Sequence, residues 1–177
     1  MFCFENLDDS TRRYMLIEVE QAIKTSQLHL SRRFTARGHE YYPQLLREAV
    51  RQGNEDSLAA ALRQRQCFAE REPYGTETRR VPASAAHTFA EGQFNAFYMR
   101  GVCHRAIQAG TLVEIYRAKE VSSERPTSRY QVGQQLDPHQ VLQLLRHSAS
   151  GQHRGPSVPA GFNSGLSLRL ANNNSGG

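Results

Sequence analysis

Apolar side chains recur at intervals of three and four residues in several parts of the chain, and this spacing predicts amphipathic helices. The predicted helices cover residues 10–25, a segment that residues 41–43 open and Gly53 ends, residues 57–68 and residues 138–148. In the first of them, Glu18 and Glu20 are expected outside the apolar stripe. The second and third form a helical hairpin. As a DNA-reading pair they would offer the bases only Arg63, Gln64, Arg65 and Gln66, so ordinary helix packing is the favoured interpretation.

One further predicted helix, residues 83–109, is apolar on nearly every side. Pro82 and Ser84 suit its start and Gly110 suits its end. A helix that is apolar all round is buried in a core on most of its faces. We therefore expect this segment to be the central helix of the fold.

Alternation of apolar and polar residues predicts a few short strands. Residues 111–119 show the alternation clearly, and residues 27–34 show a briefer one. Residues 69–82 are polar and rich in turn formers, which indicates an exposed loop or hairpin, and residues 120–136 read as a polar connection. The sequence thus predicts a helix-dominated α+β fold, with one globular domain formed by residues 1–148.

The composition changes at Ala149, and residues 149–177 are rich in Gly, Ser and Asn. Such a segment cannot bury enough apolar surface to fold alone. Within it, residues 166–170 alternate like a short strand. We interpret residues 149–177 as an extended arm whose strand adds to the sheet edge of a neighbouring subunit; unchanged assembly after deletion of residues 150–177 would reject this. The proposed assembly residues are Phe162, Leu166, Leu168, Arg169 and Leu170.

Four polar residues interrupt the apolar surface of the central helix and form a candidate polar stripe: Glu91, Asn95, Arg100 and His104. They would line a functional site if they converged on a cavity. Alternatively, they form internal hydrogen bonds and ion pairs, as buried polar groups generally do. The structural interpretation is the one we favour.

The charge of the chain limits its partners only weakly. The net charge is +5, and of 22 basic residues all but Lys24 and Lys119 are arginines. Guanidinium groups bind phosphates and carboxylates bidentately, although a GC-rich genome also favours arginine codons. Basic and acidic residues are nearly balanced in each third of the chain, without the concentrated basic stripe of a dedicated nucleic-acid binder. Weak nucleic-acid contact stays open.

Motifs for catalysis and cofactor binding are missing from the sequence. It contains neither a Gly-Lys-Ser/Thr phosphate loop nor Gly-x-Gly-x-x-Gly. Cys103 and His104 are adjacent on a helix and diverge by about 100°, which makes them poor co-ligands for a metal. A nuclease-like Glu-x-Lys pair also fails, because Tyr116 follows Glu114 at that spacing and Lys119 would point to the opposite face. We expect no cofactor, no metal and no catalytic residue.

The compartment follows from composition. No stretch approaches the roughly 18 apolar residues of a transmembrane helix, and no signal-peptide pattern is present at the start of the sequence. Three scattered cysteines are too few for a disulfide framework and favour a reducing compartment. We therefore expect no membrane association.

Three segments resemble small proteins that are encoded in phage and prophage regions. They are residues 90–103, residues 113–119 and the stretch 161–170, so that the similarity spans most of the chain. The resemblance brings no established activity and no functional residue with it. It implies a phage-type protein that is built into the particle.

The function predicted from these features is a non-enzymatic structural protein of a phage particle, as a capsid, neck or tail component. It would contact copies of itself in a homo-oligomer and other particle proteins, in the virion or the host cytoplasm. Two alternatives stay open, a small nucleic-acid-binding protein and a metal-dependent nuclease.

Overall fold

The fold is given by a computed structural model that describes residues 1–120, 126–148 and 165–171. Helices dominate these parts of the chain and the strands are short, which confirms the predicted helix-dominated α+β class. In chain order the elements are α1 (Asp9–Lys24), α2 (Ala36–Gln52), α3 (Glu55–Gln64), β1 (Arg71–Tyr74), β2 (Glu77–Arg80), α4 (Ala85–Ala109), β3 (Val113–Arg117), α5 (Pro126–Gln131), β4 (Gln135–Leu136), α6 (Pro138–Ser148) and β5 (Leu166–Leu170).

Helix α4 is the centre of the fold, as its sequence predicts. Sixteen of its 25 residues are buried, and α1, α3, α6 and β5 pack around it. Gly101 allows α1 to come close, because an added Cβ would lie 2.8 Å from Met15 Cγ and 2.9 Å from Thr11 O. Gly110, in the left-handed region at φ 66°, ends the helix.

Helix α2 begins at Ala36, and the predicted start at residues 41–43 is therefore wrong. Thr35 caps the helix, because its hydroxyl oxygen accepts a hydrogen bond from Gly38 N at 3.2 Å. Gly38 serves packing inside the helix, since an added Cβ would lie 2.4 Å from Cys67 O. Pro43 consequently lies in the helix interior, where its ring nitrogen cannot donate a backbone hydrogen bond.

Residues 27–34 do not form the predicted strand. Phe34 alone makes an isolated β-bridge, to Phe68, and Leu30 is exposed instead of lying on a buried strand face. The hydrogen bonds beside this bridge run from Ala69 N to Arg33 O and from Thr35 N to Cys67 O, both at 2.9 Å, and a single bridge does not extend into a strand. Helix α3 is also shorter than predicted and ends at Gln64.

The strands form two antiparallel sheets. Strands β1 and β2 make a hairpin within residues 69–82, which confirms the hairpin interpretation of that segment. The second sheet has the order β4-β3-β5. Strand β4 and helix α5 both lie in residues 120–136, where the sequence predicts only a connection.

Strand β5 closes the second sheet within the same chain. Five register pairs join it to β3, from Val113 opposite Leu170 to Arg117 opposite Leu166. The strand is predicted to add to a neighbouring subunit, whereas β3 here offers it an edge in its own chain. The core of the domain therefore includes residues beyond the predicted boundary at 148. Residues 149–164 and 172–177 of the predicted arm lie outside the described residues.

Within the described ranges, no helix has the length and apolar character that crossing a membrane requires.

Candidate functional site

Two of the four polar residues predicted on α4 bind neighbouring elements of the fold. Glu91 forms an ion pair with Lys119, which follows β3. Asn95 Nδ2 donates to Leu166 O at 2.9 Å, and its Oδ1 accepts from Ser167 Oγ at 2.6 Å. Asn95 therefore fastens β5 to the central helix.

The other two, Arg100 and His104, meet the carboxylate of Glu18 on α1, which is only 1% exposed. Glu18 Oε1 lies 2.7 Å from His104 Nε2. Arg146 on α6 donates from Nη2 to Glu18 Oε1 at 2.5 Å and from Nε to Oε2 at 3.2 Å. This Glu18 cluster, defined as Glu18, Arg100, His104 and Arg146, joins three helices.

Arg100 is the least satisfied member of the Glu18 cluster, although it is only 4% exposed. Its Nη1 lies 3.8 Å from Glu18 Oε2, and its Nη2 donates to Leu145 O at 2.8 Å. Its Nε is buried and has no hydrogen-bond partner in the described part of the chain. The guanidinium carbon lies 4.8 Å from the centre of the Phe97 ring, a favourable position for a cation.

Burial and charge act in opposite directions on the carboxylate of this cluster. Burial raises the pKa of Glu18, but hydrogen bonds from His104 and Arg146 and the charges of Arg146 and Arg100 outweigh it and bring the pKa to about 2. Burial lowers the pKa of Arg100; the charge of Glu18 opposes this effect and that of Arg146 adds to it. Glu18 is therefore ionised at neutral pH, and the two arginines repel each other.

A cavity of about 230 Å³ lies beside the Glu18 cluster. Glu18, Arg100 and Arg146 form part of its wall, and Gln21 and Gln27 add amide groups. The structure thus brings one of the predicted polar residues, Arg100, to a cavity. Glu18 and Arg146, which the sequence did not single out as site residues, line the same cavity.

The sequence did contain a signal for Glu18. It lies three residues after Met15 and four residues before Ala22, which places it on the buried face of α1. The expectation that Glu18 lies outside this stripe is therefore wrong. Arg146 gave no comparable signal, because an arginine in the last turn of a helix is common.

A second set of ion pairs holds the exposed hairpin. Arg33 donates to Glu72 from Nε at 2.6 Å and from Nη2 at 2.9 Å, and Arg79 Nε donates to the same carboxylate at 2.8 Å. The hydrogen bonds from Arg33 and Arg79 outweigh burial and lower the pKa of Glu72 to about 2. We call Glu72, Arg33 and Arg79 the Glu72 cluster.

A larger cavity of about 600 Å³ lies between the first turns of α2 and α4, the end of α3 and the base of the hairpin. Its wall includes the apolar side chains of Leu62 and Phe68 and the charged residues Arg37, Arg63 and Glu70. Arginines beside an apolar wall can contact a partner that carries both apolar and acidic groups.

Among the residues predicted for assembly, Leu166 and Leu168 are buried in the core of their own chain. Leu170 is partly buried, and its backbone N donates to Asn6 Oδ1 at 2.9 Å. Phe162 lies outside the described residues. The apolar side chains of β5 thus serve the core in this arrangement of the chain.

Arg169, the charged residue of that set, binds two carboxylates. Its Nη2 lies 2.6 Å from Glu114 Oε1 and its Nη1 lies 3.0 Å from Glu5 Oε1. Glu5 belongs to the segment before α1, where Cys3 N also donates to Ala118 O at 2.7 Å. The start of the chain and β5 are therefore fastened to the same end of the molecule.

The residues considered for metal or thiol chemistry have other partners. Glu114 binds Arg169, and Lys119 binds Glu91. Over residues 1–120, 126–148 and 165–171, no group of three or more His, Cys, Asp or Glu side chains is placed to hold a metal ion. Burial raises the pKa of the Cys103 thiol to about 12, which keeps it protonated at neutral pH.

Comparisons with protein-family models, with curated proteins and with solved structures find no match to the chain.

Proposed function

We propose that the protein is a non-enzymatic structural component of a phage particle, and that its subunits contact one another by exchanging β5. The resemblance of residues 90–103, 113–119 and 161–170 to phage-encoded proteins supports the location. One structural observation supports strand exchange as the mode of contact. Strand β5 completes a sheet and part of the core, although residues 149–164 separate it in sequence from the rest of the domain.

The contacts of β5 are independent of the chain that supplies it. They consist of strand pairing with β3, burial of Leu166 and Leu168, and hydrogen bonds of Asn95 with Leu166 O and Ser167 Oγ. Two chains that exchange β5 make the same contacts between them that one chain makes internally. Exchange therefore joins subunits without sacrificing a native contact.

The length of chain before β5 permits this exchange. Residues 149–164 are sixteen residues rich in Gly, Ser and Pro. Sixteen residues span at most about 55 Å when fully extended. A compact domain of this size has a radius of gyration of about 16 Å, and a uniform sphere with that radius of gyration is about 40 Å across, so the extended segment is longer than the domain is wide. The strand can thus reach a sheet of an adjacent subunit.

Protein counting in purified particles tests the proposed location. Particles released by the strain that encodes the chain are washed in high salt and treated with nuclease, and the copies per particle are measured by quantitative mass spectrometry. We expect a fixed ratio to the major particle protein that the washing leaves unchanged. Loss of the protein from the washed particles would contradict the proposal.

Native mass spectrometry tests the subunit contact. The chain has a mass of 20.0 kDa, and we expect species at whole multiples of it in micromolar solution. A single species at the mass of one chain at every concentration, alone and with the other particle proteins, would refute self-association.

A second candidate function, nucleic-acid binding, is favoured by the two arginines at the larger cavity. Replacing Arg37 and Arg63 together by Gln should then weaken DNA binding and reduce its dependence on salt, because fewer counterions are released. The matched control is Arg47→Gln, which removes an arginine that pairs with Glu20 elsewhere on the surface. Absent or salt-insensitive DNA affinity of the unmodified chain removes this candidate.

A further inference from the structure

The Glu18 cluster carries more positive than negative charge. Its one carboxylate faces two guanidinium groups and the imidazole of His104. Glu18 Oε1 accepts short hydrogen bonds from His104 and Arg146, and Oε2 accepts one from Arg146 Nε at 3.2 Å, whereas Arg100 Nη1 stays 3.8 Å away. Because one negative charge offsets only one of the two arginines, the cluster keeps a charge of at least +1.

Arg100 carries this surplus charge in a buried position. Its side chain is 5% exposed, and the described residues give it one hydrogen bond, from Nη2 to Leu145 O, and no partner for Nε. Tyr42, the other titratable group that acts on it, is a buried phenol whose pKa burial raises. Tyr42 is therefore uncharged at neutral pH and cannot supply the missing negative charge.

The cavity beside Arg100 has the size for a small ligand. Its volume of about 230 Å³ lies below the roughly 300–1,000 Å³ of sites for drug-sized molecules. Gln21 and Gln27 also line it, and a glutamine side chain carries an amide that can donate hydrogen bonds. Arg146 is 43% exposed at the side chain, so that a ligand can enter from solvent. Water can fill such a cavity, but it brings no negative charge.

We propose that this cavity binds a small oxyanion, a carboxylate or a phosphate, between Arg100 and Arg146. The anion neutralises the surplus charge of the Glu18 cluster and accepts hydrogen bonds from both guanidinium groups, whose geometry suits carboxylate and phosphate oxygens. Because Glu18, Arg100 and Arg146 belong to α1, α4 and α6, the bound anion ties three helices together. This site is separate from β5 and does not depend on the function proposed above.

Thermal unfolding of the full chain at constant ionic strength tests the proposal. Sodium chloride is replaced stepwise by sodium phosphate in one series and by sodium acetate in another. We expect Tm to rise and saturate with at least one oxyanion, because a ligand that binds the folded state stabilises it. Isothermal titration calorimetry should give one site per chain. A response to phosphate alone assigns a phosphate site, and a response to acetate alone assigns a carboxylate site.

Three variants test whether the anion that raises Tm binds in this cavity. Arg100→Gln removes the surplus cation and should abolish the saturable rise. If Arg100→Gln does not fold, Gln27→Glu tests the site instead, because it places a carboxylate at the cavity wall. This variant should have a higher Tm without added anion, and its Tm should no longer rise when phosphate or acetate is added. The matched control, Arg47→Gln, removes an arginine outside the cavity and should keep the full response.

Two results would overturn the oxyanion site. One is the absence of any saturable change with both anions. The other is an equal response in the unmodified chain, Gln27→Glu and Arg47→Gln, which would mean an effect of general ion binding at the surface.

Discussion

The two sheets in the described part of the chain are built in opposite ways. The β1–β2 hairpin pairs strands that are adjacent in sequence, and nearly all of its residues are exposed. Ion pairs of the Glu72 cluster fasten it to the domain. In the other sheet, β3 pairs with a strand that lies beyond residues 149–164, and that strand buries Leu166 and Leu168.

This difference separates two kinds of contact. The hairpin depends on local pairing and surface charge. Its two-residue turn is so short that β1 pairs with β2 of the same chain. Strand β5 depends on core burial, and its distance in sequence allows it to close the sheet in its own chain or in another. We therefore expect stability and assembly to depend on β5, and the hairpin to contribute little to either.

The largest effect is expected from Leu168→Ala. Leu168 is fully buried, and truncation of a buried leucine costs about 2–5 kcal/mol of unfolding free energy. The matched change in the hairpin is Tyr74→Ala at an exposed residue, for which a shift within about 0.5 kcal/mol is usual. Urea unfolding measures both variants. Equal losses would show that the two sheets do not differ as described.

A smaller effect is expected from Asn95→Ala. The change removes the buried hydrogen bonds of Asn95 with Leu166 O and Ser167 Oγ, and a buried polar group such as the Ser167 hydroxyl that loses its partner costs about 1–3 kcal/mol. Adding Ser167→Ala should recover part of this loss, because it removes the hydroxyl that has lost its acceptor. Unfolding free energies of the single and double variants check this, and strictly additive losses would contradict the direct contact.

The smallest effect on the stability of the whole molecule is expected from low pH, which weakens the ion pairs of the hairpin. The pKa of Glu72 is about 2, below its ordinary value of 4.5. Its ion pairs therefore stabilise the hairpin fully above pH 4.5, and this stabilisation is lost as the pH falls toward 2.

Hydrogen exchange of the hairpin amides, corrected for intrinsic rates and referred to amides of α4, measures this loss. We expect faster exchange in β1 and β2 as the pH falls, and no such change in Glu72→Gln. The same acid response in that variant would assign the effect to another group.

The sequence predicted elements whose signals are local. The apolar surface and terminal glycine of α4 identified the central helix, and alternation identified β3 and β5. It could not show that Asn95 reaches β5 or that Arg146 reaches Glu18, because such pairs form only when distant segments pack. The first turn of α2 was missed for a related reason. It contains Gly38, a residue with poor helix propensity, and Gly38 is required there because the Cys67 carbonyl lies so close; sequence spacing does not reveal this contact.

A disulfide between β3 and β5 tests most directly whether subunits exchange β5. Val113 and Leu170 lie opposite each other, next to a pair in which Ala171 N donates to Leu112 O at 3.0 Å. This alternation makes them a non-hydrogen-bonded pair, with Cα atoms about 4.5 Å apart, which a disulfide can bridge. Both are replaced by Cys together with Cys3→Ser, and Leu170→Cys with Cys3→Ser is the control.

After oxidation in micromolar solution, denaturing gels without reductant and intact-mass measurement report which chains are joined. We expect covalently linked chains at multiples of one chain mass, formed by the double-cysteine protein and not by the control. Single chains that have all closed the disulfide internally would contradict the exchange of β5.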